Sequence, residues 1–209
     1  MGAGSSKSKP RRHISAYHKR KLAKMAKLRQ NYDVEGFKGR VITLYHVTSV
    51  DASKSIVNSK KMLRGTMGMF GGGIYFAETI DIANSKAHQS GATITADVNL
   101  GFSLICRQSE PNINYENLHF TYGCNSVKGF GCVSNTEYVV YNWGQVVITN
   151  VSIEGNDYYT NSKVTKKRHY CKNSLCLYYK GKHIGNCRKM CSNSSCIYNG
   201  EYHLAKCSS

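Results

Sequence analysis

Two stretches decide how this sequence is read: MFGGGIYFAET (69–79) and NTEYVVYNWGQV (135–146). In the first, a triple-glycine turn runs straight into a short apolar strand that carries Tyr75. Gly72 and Gly73 stand where backbone can approach a ligand closely and offer its amides to phosphate or carboxamide. In the second, one carboxylate, Glu137, enters a strand whose next residues include the apolar Val139 and Val140. A lone carboxylate in that position needs a partner or costs stability.

Working outward, VITLYHV (41–47) reads as a strand with His46 between apolar neighbours. DASKSIVNSKKML (51–63) reads as a helix capped at Asp51, and TIDIANSKAHQ (79–89) as a second helix, capped at Thr79 or Asp81 and ended by Gly91. Between them, RGTMGMFGGG (64–73) is a glycine-rich loop. TITADVNL (93–100) and FSLICR (102–107) read as strands broken at Gly101. Residues 108–135 read as irregular, and 136–153 as two further strands. Strands dominate over two short helices, which predicts an α+β domain over 40–155 on a mixed or antiparallel sheet.

The chain has 209 residues, 41% of them hydrophobic, enough for one domain with a real core and small appendages. Its formal charge of +17 is uneven. Residues 1–40 carry 12 Lys/Arg against 2 Asp/Glu, residues 41–160 carry 7 against 9, and residues 161–209 carry 10 against 1. A near-neutral middle thus lies between two basic flanks, which suit an acidic partner such as nucleic acid or an anionic membrane surface. No apolar run has the length of a signal peptide or a membrane span, so a reducing cytoplasmic or nuclear setting is expected.

The middle segments resemble the catalytic domain of the poly(ADP-ribose) polymerases and their mono-ADP-ribosylating relatives. The resemblance rests on LYHVTS (44–49), MFGGGIYFAET (69–79) and NTEYVVYNWGQV (135–146), in that order, with NSVKGFG (125–131) like the loop before the glutamate strand. It covers about residues 40–153. It implies an NAD⁺-dependent transferase fold with a His-Tyr-Glu set. His46 would bind the adenosine ribose, Tyr75 would stack on nicotinamide, and the backbone of Val47, where glycine is usual, would hold the carboxamide. Ser85 would help hold that carboxamide, with His88 as a second stacker, and Glu137 would carry the chemistry. Mono-transfer is the expected outcome. The other readings are a non-catalytic relative that binds NAD⁺ or ADP-ribose, a nucleic-acid-binding protein, and a tRNA 2′-phosphotransferase. The last relies on basic catalytic residues, which are few in 41–160.

The flanks carry their own patterns. Residues 1–39 read as a small basic disordered start followed by a short amphipathic helix over 14–32. The opening Met1-Gly2-Ala3-Gly4-Ser5-Ser6 fits the pattern for N-myristoylation at Gly2. The polybasic stretch after it could supply the second signal a single acyl chain needs. After a linker (156–168), the tail repeats C-x4-C-x6-H-x3-C twice at a period of 20 residues. The first unit is Cys171, Cys176, His183 and Cys187, and the second is Cys191, Cys196, His203 and Cys207. Three thiolates and an imidazole suit one tetrahedral Zn²⁺ per unit; disulfide pairing is the rival. The basic, Tyr-bearing units also suit single-stranded nucleic acid or ADP-ribose polymer.

Overall fold

The alternating stretch 91–99 is the spine of the molecule. In a computed structural model that describes residues 16–37, 39–130, 135–161, 169–170 and 182–183, it forms β4 (Gly91–Asn99). Ala92, Ile94, Ala96 and Val98 are buried at every second position, as one face of a strand requires. On one side β4 pairs antiparallel with β2 (Val41–Ser49) in unbroken register. On the other it pairs with β8 (Val146–Ile153), with one shift at Thr95/Ala96. β9 (Asn156–Thr160) closes this four-stranded antiparallel sheet, ordered β2-β4-β8-β9.

The second sheet is built from shorter pieces. Its order is β1 (Val34–Gly36), β5 (Phe102–Cys106), β6 (Ser126–Gly129), β7 (Glu137–Val140) and β3 (Ile74–Phe76). Only β5 and β6 run parallel. The sheets face each other across Leu44, Ile94, Val98, Ile148 and Val151 from one side and Ile74, Phe76, Tyr138 and Val140 from the other. The far face of the five-stranded sheet is covered by a second cluster around Phe70, Ile113, Leu118, Val127, Val139 and Tyr141. The protein is therefore α+β, as the strand-rich pattern predicts, but with two sheets where one was expected. The two sheets share one core and the five-stranded sheet is buried on its other face as well, which periodicity alone does not reveal.

Four α-helices are described: α1 (Ala16–Arg29), α2 (Val50–Ser59), α3 (Ile80–Lys86) and α4 (Tyr115–Phe120). Of the two caps expected for α3, Thr79 is the one used, and Asp81 lies in the first turn. The cap of α2 is Ser49 and not Asp51. The Ser49 hydroxyl accepts the Ala52 N–H, and Asp51 lies in the first turn, where its charge still favours the helix dipole.

The region 108–135, read as irregular, holds α4 and β6. α4 starts at a capping box between Asn114 and Asn117, a side-chain device without hydrophobic periodicity to announce it. The polar stretch after residue 155 includes β9, which pairs with β8. β1 likewise joins β5, and α1 buries Met25 while Arg29 donates to the Gly123 carbonyl at 2.9 Å, so residues before 40 pack on the domain. β10 (His169–Tyr170) and β11 (Lys182–His183) form a small antiparallel ribbon. Gly2 and the tail cysteines lie outside the described residues, as does His203; His183 is described only as backbone of β11.

Candidate active site

The two sheets touch at one bonded pair and then part. Tyr45 on β2 and Ala77, just beyond β3, exchange both backbone hydrogen bonds at 2.9 Å. Antiparallel register would next set Val47 opposite Tyr75. That pair does not form. Instead the His46 side chain fills the gap, with Nδ1 2.8 Å from the Tyr75 carbonyl. A carbonyl only accepts, so Nδ1 carries the proton and donates. Burial pushes the His46 pKa down and so favours the neutral ring, and the hydrogen bond to the Tyr75 carbonyl opposes it only in part. Neutral His46 then presents an unprotonated Nε2 as an acceptor. Val47, two residues from Tyr45, turns its N–H and C=O toward the same opened edge.

The parting opens a cleft of about 950 Å³, within the size of small-molecule sites. His46, Val47, Gly73, Tyr75, Lys86, His88 and Glu137 all line it. Tyr75 sits across from Val139, and Glu137 is two residues before Val139 on the same strand. Both side chains therefore leave the same face of the five-stranded sheet. The Tyr75 hydroxyl donates to the Gly71 carbonyl at 2.7 Å and accepts the Phe70 N–H at 2.9 Å. Burial is the chief cause that pushes the phenol up to about 12, with Glu137 nearby adding to it, so it stays a protonated donor.

The glycines each have a separate reason. A Cβ at Gly68 would lie 2.1 Å from the Tyr75 Oη, at Gly72 2.6 Å from the Gly65 carbonyl, and at Gly73 2.2 Å from Val139 Cγ1. Gly71 has φ +71° as well. The loop thus wraps the Tyr75 phenol because backbone alone passes there. Gly72 shapes the loop without lining the cleft, and Gly73 does both.

Glu137 is the one carboxylate among the lining residues described. Its Oε1 lies 3.2 Å from Lys86 Nζ, with side-chain exposures of 13% and 20%. Lys86 also donates to the Asn135 carbonyl at 3.0 Å. Lys86 was not anticipated. Helical spacing from the Thr79 cap could have found it, because Ala83, Lys86 and Ala87 share one face. That face packs at the sheet junction, where Ala83 meets Val47 of β2 and Ala77 just beyond β3. Ser85, proposed for the carboxamide, is exposed, donates to the Ile82 carbonyl at 2.9 Å and is not among the lining residues. Among the described residues no group of three or more His, Cys, Asp or Glu could hold a metal. Cys106 and Cys124 are buried thiols. No described helix is long and apolar enough to cross a membrane.

No family model matches the chain, and no curated protein matches it.

Proposed function

We propose that this chain is an NAD⁺-dependent ADP-ribosyltransferase that transfers a single ADP-ribose to a protein or nucleic-acid acceptor and releases nicotinamide. It would be built on the poly(ADP-ribose) polymerase-like fold. One observation carries the reading. His46, Tyr75 and Glu137, far apart in sequence, meet on one cleft at the point where the sheets part.

The chemistry follows from those groups. The Val47 N–H and C=O are disposed to pair with a carboxamide, and the Tyr75 ring, immobilised through its hydroxyl, offers a flat face to nicotinamide. His46 Nε2 can accept a ribose hydroxyl. When the bond from ribose C1′ to nicotinamide breaks, its electron pair leaves with the pyridine nitrogen and the sugar becomes oxocarbenium-like. Glu137 then supplies fixed negative charge beside it and can take a proton from the attacking acceptor. The test is transfer of labelled ADP-ribose by the full chain and by Glu137→Gln. We expect label on acceptor with the wild type and a loss of about 100-fold or more in the variant. No transfer by either, with or without nucleic acid, sinks the reading in favour of a binding protein.

The flanks would target this activity. The donor set of each tail repeat fits Zn²⁺: Cys171, Cys176, His183 and Cys187 in the first, and Cys191, Cys196, His203 and Cys207 in the second. Such an ion would staple a unit of about 20 residues that cannot build its own core. Nucleic acid or ADP-ribose polymer fits the basic tail, and an anionic membrane fits an arm acylated at Gly2.

A further inference from the structure

We infer that Lys86 is a positioning residue for Glu137: it holds one carboxylate oxygen so that the other faces the reacting sugar. The inference rests on the transferase reading of the cleft. Glu137 opens a strand whose next three residues, Tyr138, Val139 and Val140, are all buried. Its carboxylate is itself only 13% exposed, so its charge needs a partner. Among the described residues that partner is Lys86, whose Nζ lies 3.2 Å from Oε1. Oε2 has no hydrogen-bond partner among them.

Lys86 is well placed to act as an anchor. It stands in the last turn of α3, whose Ala83 packs against Val47 and Ala77 at the sheet junction. Its ammonium is tied at a second point, the Asn135 carbonyl, two residues before Glu137. One cation thus fixes the backbone entering β7 and the first side chain on it. A carboxylate restrained at one oxygen keeps a fixed direction at the other, which is the requirement for stabilising charge as it develops. The Lys86 charge also offsets part of the Glu137 charge. The arrangement therefore trades some field strength for orientation, and the sign of the mutational effect decides between the two.

The test uses the full chain with Lys86→Met, Lys86→Arg and Lys86→Gln, reading NAD⁺ turnover and NAD⁺ binding by calorimetry. Loss of a supporting contact of this kind costs about 10–100-fold. We expect Lys86→Met to lower kcat in that range, with KM and the binding constant changed less than about threefold. Lys86→Arg should restore part of the loss. Lys86→Gln, which keeps a donor for Asn135 but no charge, should behave as Lys86→Met, and it serves if the methionine variant does not fold. Combining Lys86→Met with Glu137→Gln should add little to Glu137→Gln alone. An active wild type whose Lys86→Met and Lys86→Gln variants keep or raise kcat overturns this inference alone. A wild type that turns over no NAD⁺ overturns the transferase reading and this inference with it.

Discussion

The two sheets divide the labour unequally. The four-stranded sheet has long strands: β2 and β4 stay in register over nine rungs, from Val41↔Asn99 to Ser49↔Gly91. The five-stranded sheet has strands of three to five residues, one parallel pair, and loops at every junction. Yet the short-stranded sheet supplies Tyr75 and Glu137, and the long one supplies His46 and the Val47 backbone. The candidate site gathers where a regular strand edge loses its partner. The long sheet provides a rigid edge. The short one provides ends, turns and glycines that can be shaped around a ligand.

That contrast can be broken from either side. The largest effect expected is on stability, from the long sheet. Ile148→Ala on β8 removes a core side chain remote from the cleft and should cost about 2–5 kcal/mol in denaturant unfolding, with little change in kcat per folded molecule. An equal loss of kcat would mean that the sheets are not separable in this way. Next comes Gly68→Ala, whose new methyl meets the Tyr75 phenol. It should lower kcat/KM about 100-fold by displacing the ring, with a smaller effect on unfolding.

Tyr75→Phe keeps the ring but leaves the Phe70 N–H and the Gly71 carbonyl without their partner. We expect a loss of about 1–3 kcal/mol, with faster proteolysis within 64–72. The smallest effect concerns His46. Its folded pKa lies below the ordinary 6.5, so the unfolded chain takes up the proton first. Its contribution is complete above that pH and is lost as pH falls from about 6.5 toward the lowered value. His46→Gln should flatten that part of the stability curve relative to wild type, and an unchanged slope would place the imidazole in solvent.

Legibility in the sequence follows the same division. Strand alternation exposed β2, β4, β5 and β8, and the Thr79 cap located α3, because burial of one face imposes a period. The glycine run before Tyr75 and the lone Glu137 marked the site because both break local rules. What escaped had no period to show. β1, β6 and β9 are short or polar strands defined by their partners, and α4 is nucleated by asparagine side chains. Lys86 escaped because its role lies in a contact with a residue 51 positions away, across two elements, while Ser85 beside it had the more familiar chemistry. The existence of two sheets was equally hidden, since it depends on where β2 and β3 stop bonding.

A transferase of this design takes NAD⁺ into the cleft where those strands part. The most direct measurement is titration of the full chain, labelled with nitrogen-15, with NAD⁺ while following backbone amide resonances. We expect saturable shifts at Val47, Gly73, Tyr75 and Lys86, with β9 (Asn156–Thr160) undisturbed. Absence of saturable shifts, or shifts confined to surfaces away from the junction of β2 and β3, would contradict it.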